Sequence, residues 1–124
     1  MKTGLENLIV FQKSMKLAML IFEISKTFPS EEKYSMIDQI RRSSRSVCAN
    51  LGEAYRKSRY EAHFISKLSD SDMENTETQI WLDFAQKCNY ISKEQFLELH
   101  EISLEIGRMI DFMVQNPKKF ARNS

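Results

Sequence analysis

Ile37–Lys57 reads IDQIRRSSRSVCANLGEAYRK. Ile37, Ile40, Ser44, Val47, Leu51 and Ala54 recur at alternating steps of three and four residues. Side chains so spaced share one face of an α-helix, and a stripe of this kind is the seam along which helices pack in a bundle. The same rhythm continues downstream. Phe64, Leu68, Ser71, Asn75, Thr78, Leu82 and Ala85 form a second seam, and Phe96, Leu99, Ser103, Ile106, Ile110 and Met113 a third. Upstream there are two stripes: Leu8, Phe11, Met15, Ala18, Phe22, and Val10, Leu17, Ile21, Ile24.

Four helices follow from these seams. The first is predicted over Leu5 to Thr27 and ends at TFPS, because Pro29 disfavours helix at Phe28. The second runs from Glu31 to Lys57 with Ser30 as its cap. The third opens on SRYE, where Ser58 and Glu61 have the spacing of a capping box, and extends to Cys88. The fourth opens on SKEQ with Ser92 and Gln95 as another box, and stops at Gln115 before Pro117. The links are a few residues long, which makes neighbours antiparallel. The expected fold is all-α: one up-down-up-down four-helix bundle over residues 1–116, followed by a short basic tail, PKKFARNS, over 117–124.

Composition narrows the functional classes. The 124 residues are 42% hydrophobic and 28% charged, with three glycines, two prolines and a net charge of +1. That balance fits one soluble domain and does not fit a strongly basic nucleic-acid binder. Glu6 and lysines interrupt the N-terminal apolar run, so no signal peptide is expected. The longest apolar run of the first helix, Leu17 to Phe22, is far short of the ~20 residues a membrane span needs. The expected location is the cytoplasm. Cys48 and Cys88 read as buried thiols, too far apart for a disulfide.

Catalytic chemistry is not evident. A di-iron bundle carries Glu-x-x-His, but Tyr60 precedes His63 and Leu97 precedes His100 at that spacing. Two histidines and two cysteines, widely separated, give no zinc pattern, and there is no glycine-rich phosphate loop. No enzyme, metal or cofactor is expected.

Charge is distributed unevenly. Gln39 to Arg59 holds six basic residues and one acid, Glu53. Folding the second and third helices back about Lys57 and Ser58 puts Arg45 opposite Asp70, Arg42 opposite Met73 and Arg41 opposite Glu74. Arg41 and Arg45 are then expected to pair with carboxylates of the adjacent helix. The same register aligns Ser44 with Ser71 and Ile40 with Asn75, giving a partly polar centre that fixes register at some cost in stability. Gln39, Ser43, Ser46, Asn50, Glu53 and Lys57 form a small polar stripe, in which Asn50 and Glu53 can accept from an arginine. Arg42, Arg56, Lys57 and Arg59, with Lys118, Lys119 and Arg122 of the tail, are harder to pair and are expected to form a basic end that contacts phosphate. No aromatic stacking platform is apparent, so such binding would read shape and charge. Gly52 and Gly107 lie inside helices, where close packing or a kink would account for them. The surplus apolar flank, including Ile102, Leu104 and Met109, suggests self-association. A protein–protein adaptor that docks a partner on the acidic third helix is the alternative.

FPSEEKYSMIDQIRRSSRSVCANLGEAYRKS resembles the core motif of the small bacterial four-helix bundle proteins associated with intervening sequences in large-subunit ribosomal RNA genes. Phe28, Pro29, Tyr34, Gln39, Ile40, Arg41, Arg42, Ala49, Asn50 and Glu53 carry it, and FISKLSDSDMENTETQIWLDFAQKCNYIS is similar to the family's third helix. Cys48 stands where proline is common, which implies a straighter second helix. The resemblance covers about residues 8 to 114. It implies a bundle assembling into a homopentameric ring, with an accessory role near nucleic acid. The same fold occurs in the accessory protein of diversity-generating retroelements, which binds RNA and its reverse transcriptase; a protein partner of that kind is a further expectation.

Overall fold

The computed structural model describes residues 4–120, and its long elements are four α-helices: α1 Ile9–Ser25, α2 Met36–Arg56, α3 Glu61–Lys87 and α4 Lys93–Gln115. Single 3-10 turns at Leu5–Asn7, Ser30–Glu32 and Pro117–Lys119 precede or follow them. Each helix packs on its neighbours in sequence, and α1 also packs on α4, which closes a four-helix bundle.

The seams behave as the spacing dictates. All seven predicted α3 positions are buried. On α4, Leu99, Ser103, Ile106, Ile110 and Met113 are buried and Phe96 is half-buried. On α2 the buried set adds Met36, Ser43 and Cys48, while Ile37 is half-buried. Of the two α1 stripes, Val10, Leu17 and Ile21 face the core. The other stripe is only partly covered: Leu8, Phe11 and Phe22 are half-buried and Met15 is exposed.

Several helix ends differ from the sequence reading. α1 is preceded by a break at Leu8, whose extended backbone (φ −74°, ψ 124°) separates it from the 3-10 turn. α2 starts at Met36, not Glu31, and Ser30 does not cap it. The Glu32 carboxylate does so instead: it accepts from Ser35 Oγ at 2.6 Å, the Met36 backbone N–H at 3.3 Å and Tyr90 Oη at 2.8 Å. One side chain thus satisfies a first-turn donor and ties the α1–α2 link to the α3–α4 link. The Ser92–Gln95 capping box forms in full. The Ser58–Glu61 box does not. Tyr60 is the α3 N-cap residue without a side-chain bond, and the buried Ser58 hydroxyl donates back to the Tyr55 carbonyl at 2.7 Å. Cys88, at the C-cap of α3, is exposed; Cys48 is buried, and burial pushes its thiol up to about 11.

Because the chain spends Lys57–Tyr60 on the turn, the α2–α3 register is displaced by close to one helical turn from a fold about Lys57 and Ser58. Ser71 Oγ meets the Val47 carbonyl at 2.9 Å, not Ser44. Thr78 Oγ1 lies 2.9 Å from Ser43 Oγ. Rising numbers on α3 meet falling numbers on α2, so this pair is antiparallel.

The polar centre links three helices. Asn75 donates to the Ser103 carbonyl at 2.9 Å and accepts from Ser103 Oγ at 2.8 Å, while Gln79 Nε2 donates to Ser103 Oγ at 2.9 Å. Such fully paired buried groups work only at one axial offset, so they fix register. Gly107 faces this node: a Cβ there would lie 3.4 Å from Asn75 Nδ2, an ordinary contact. A Cβ at Gly52 would meet Leu5 Cδ2 at 3.6 Å. Neither glycine is demanded by crowding within the subunit.

Candidate nucleic-acid interface

The arginines of α2 divide by the helix they face. Arg42, expected to be free, turns to α3. Its guanidinium bonds to Glu77, its NH1 lies 3.2 Å from Glu74 Oε1, and its Nε donates to Gln39 Oε1 at 3.2 Å. Trp81 Nε1 also donates to Glu77, at 3.1 Å. Donating to Glu74 first and then to Glu77 holds the Arg42 pKa above its ordinary value. Burial pushes the Glu77 carboxyl up, but donation from Trp81 and Arg42 outweighs it and leaves Glu77 below its usual value.

Arg41 and Arg45, expected to pair with Glu74 and Asp70, face α1. Arg41 Nε donates to Ser25 Oγ at 2.8 Å and a terminal N–H reaches the Phe22 carbonyl at 3.4 Å. Its guanidinium carbon lies 4.8 Å from the Phe22 ring centre, and that of Arg45 lies 5.7 Å from the same ring. Among the described residues neither has a carboxylate at ion-pair distance. Arg42 lies about 100° around the helix from Arg41. It takes Glu74, the acid Arg41 was expected to meet, together with Glu77, while Asp70, expected to meet Arg45, lies beside Lys67.

Within the polar stripe, Asn50 and Glu53 are bonded inside the fold. Glu53 pairs with Lys67 at 3.0 Å, and that bond is the main cause raising the Lys67 pKa. Lys67 also lies 3.7 Å from Asp70. Asn50 Nδ2 donates to the Ser46 carbonyl at 3.0 Å. Among the described residues, neither Asn50 nor Glu53 receives an arginine.

Arg42 stands apart from the other candidate cations. Fourteen residues separate Arg42 from Arg56, which is about 21 Å along the helix. Arg56 and Lys57 border a cavity of about 380 Å³ with Leu5, Gly52 and Tyr55. Lys119 borders a second, of about 160 Å³, that Tyr55 also lines. The last turn of α2 and the C-terminal 3-10 turn therefore flank one tyrosine. Lys57, Arg59, Lys118 and Lys119 are exposed and, among the described residues, have no carboxylate at ion-pair distance. Lys57, at the α2 C-cap, sits where the helix dipole favours a cation. Arg122 lies outside the described residues.

Exposed aromatics accompany these cations, a feature the sequence reading did not find. Tyr60 is 55% exposed with the Arg59 guanidinium 6.0 Å from its ring, and Phe112 is 49% exposed with Lys119 Nζ at 5.2 Å. Tyr60 stands at a turn and Phe112 lies among α4 core positions, so neither shows a surface pattern in sequence. Among the described residues no group of three metal-ligating side chains converges, and no helix is long and apolar enough to cross a membrane.

Residues 6–111 match the family described as 23S rRNA-intervening sequence protein. A crystal structure of a protein of unknown function from the S23 ribosomal protein family of Bacteroides thetaiotaomicron is 32% identical, with a TM-score of 0.78. The match covers 86% of this chain and 99% of that one. A search of curated proteins finds no match.

Proposed function

Since this chain belongs to the 23S rRNA-intervening sequence protein family, we propose that it is a non-enzymatic, cytoplasmic accessory protein that binds structured RNA through the basic end of a homo-oligomeric, pentameric bundle. The observation that carries the reading is the gathering of Lys57, Arg59, Lys118 and Lys119 at one end with no carboxylate partner among the described residues. Cations left uncompensated by the fold are available to phosphates, whose condensed counterions they displace. Arg56 borders the same end. Exposed Tyr60 and Phe112 add π-faces beside the charges, on which an unpaired base can stack. Nothing in the site has the constellation of a nucleophile and base.

Titration of a labelled structured RNA at two salt concentrations tests the reading. Four phosphate contacts predict a log–log salt slope of about −3 for each subunit that engages the RNA. The combined variant K57Q/R59Q/K118Q/K119Q should lose most of the affinity. Absence of binding even at low salt would remove the proposal.

One observation favours an adaptor as a second reading. Met73, Ile80 and Phe84 leave the α3 surface 69%, 49% and 50% exposed. Affinity capture from nuclease-treated lysate separates the two, because an adaptor retains its partner and an RNA binder loses it.

A further inference from the structure

Phe22 of α1 gathers three cations. Lys26 Nζ lies 4.6 Å from the ring centre, with the Arg41 and Arg45 guanidinium carbons at 4.8 and 5.7 Å. Lys26 is compensated by Glu23 at 3.2 Å. Arg41 and Arg45 have no carboxylate at ion-pair distance among the described residues. Two like charges one turn apart on a helix repel, and contact with a ring face offsets this only in part at an exposed site. An anion between them would supply the missing charge.

The groove beside them has the room and the donors. It is lined by Asp38, Arg41, Arg42, Arg45, Ser46 and Ala49 and encloses about 440 Å³. Arg41 is already oriented: two of a guanidinium's five N–H bonds go to Ser25 and Phe22, so its fork is held against α1 with three left over. Little rotamer freedom remains for a ligand to freeze. Arg42 belongs to Glu74 and Glu77 and lies on the α3 side of the groove. Asp38 repels an anion from the N-terminal end, which directs it toward Arg45 and Ser46.

We infer that Arg41, Arg45 and Ser46 form a seat for one phosphate group, separate from the basic end. Arg45 and Lys57 are twelve residues apart, about 18 Å along α2. Phosphate suits the seat better than carboxylate. Its three or more oxygens can take donors from two guanidinia on successive turns and from a hydroxyl at once. A carboxylate is already at hand in Asp38, three residues before Arg41, and forms no ion pair with Arg41 or Arg45. The phosphate could be free or part of a nucleic-acid backbone.

The test follows the Nε–Hε signals of Arg41 and Arg45 by NMR in the full-length protein. Inorganic phosphate, a short single-stranded RNA and sodium chloride are titrated at matched ionic strength. Saturable shifts of both signals with inorganic phosphate support a seat for free phosphate. Saturable shifts with the RNA alone support a backbone phosphate. The exposed Arg45→Gln variant should bind the same probe about tenfold more weakly. Phe22→Leu, which keeps an apolar side chain but removes the ring, should weaken it less. Signals that drift identically in phosphate and chloride without saturating, and no effect of RNA on them, overturn the inference. That result leaves the basic end untouched, because its own test reads RNA affinity in K57Q/R59Q/K118Q/K119Q. Undiminished RNA affinity in that variant, with the Arg41 and Arg45 signals still saturating, would do the reverse and remove the basic end while leaving the seat.

Discussion

Asn75 is fully buried at a seam position where an aliphatic residue would ordinarily pack, and its amide exchanges two hydrogen bonds with Ser103. Truncating it to alanine leaves the Ser103 carbonyl and hydroxyl short of partners and opens a void. Asn75→Ala should therefore cost about 2 kcal/mol or more, read by urea denaturation. A loss below roughly 0.5 kcal/mol would show that the node adds nothing to the native state. Glu32 carries a different signature. Its carboxyl is held below the ordinary 4.5, first by the Ser35 hydroxyl and then by Tyr90, against a small opposing effect of burial. The same contact pushes the Tyr90 phenol up to about 12. A depressed folded pKa adds stability while the pH is above the unfolded value, and that stability is lost as pH falls through the folded one. Stability should therefore drop between about pH 5 and 3 in the wild type, and by less in Glu32→Gln. Ser35→Ala should flatten the profile more than Tyr90→Phe, following the order of the two bonds. Equal acid sensitivity of wild type and Glu32→Gln would reject the assignment.

The helices themselves were legible because their seams are strict. All seven α3 positions read from the three-four rhythm are buried, since burial of an amphipathic stripe depends only on local periodicity. Helix ends were legible only where the cap is local. Ser92 and Gln95 lie three residues apart and close their box in both directions, at 3.0 and 2.8 Å. Ser58 and Glu61 have the same spacing, but the turn uses the Ser58 hydroxyl on Tyr55 instead. That choice lengthened the link by a few residues, and the shift passed into every α2–α3 pair. Arg42, not Arg41 or Arg45, meets the acids of α3 because the phase of α2 turns Arg42 to α3 and the other two to α1. The tie from Glu32 to the α3–α4 link was not legible, because Tyr90 reaches it from 58 residues away. The two boxes give a paired prediction. Ser92→Ala should cost about 1 kcal/mol in thermal or urea unfolding. Glu61→Gln should cost only the few tenths of a kcal/mol that a first-turn carboxylate contributes through the helix dipole. Comparable losses in both would mean that the third helix has its box after all.

At the scale of the whole molecule, the open question is what covers the α1 flank. Met15 and Met19 are 43% and 52% exposed one turn apart, beside half-buried Phe11 and Phe22. Lys13 is occupied by Glu105 of α4 at 2.8 Å, so the polar edge of this face is already used within the subunit. An apolar strip of this kind favours removal from water by ~25 cal/mol for each Å² covered, and a second copy is one way to cover it. Light scattering should then give a mass that is a multiple of the 14.6 kDa chain, with five copies expected. The double variant M15E/M19E should fall to one subunit while keeping its helical circular dichroism, since neither side chain is in the core. The same variant bears on function. If subunits bring their basic ends together, their potentials add, and the RNA affinity and its salt slope both exceed what one subunit supplies. M15E/M19E should therefore bind RNA more weakly and with a shallower slope, although no basic residue has been changed. A wild-type mass of a single subunit at working concentration, or an unchanged slope in the dissociated variant, would show that each basic end acts alone.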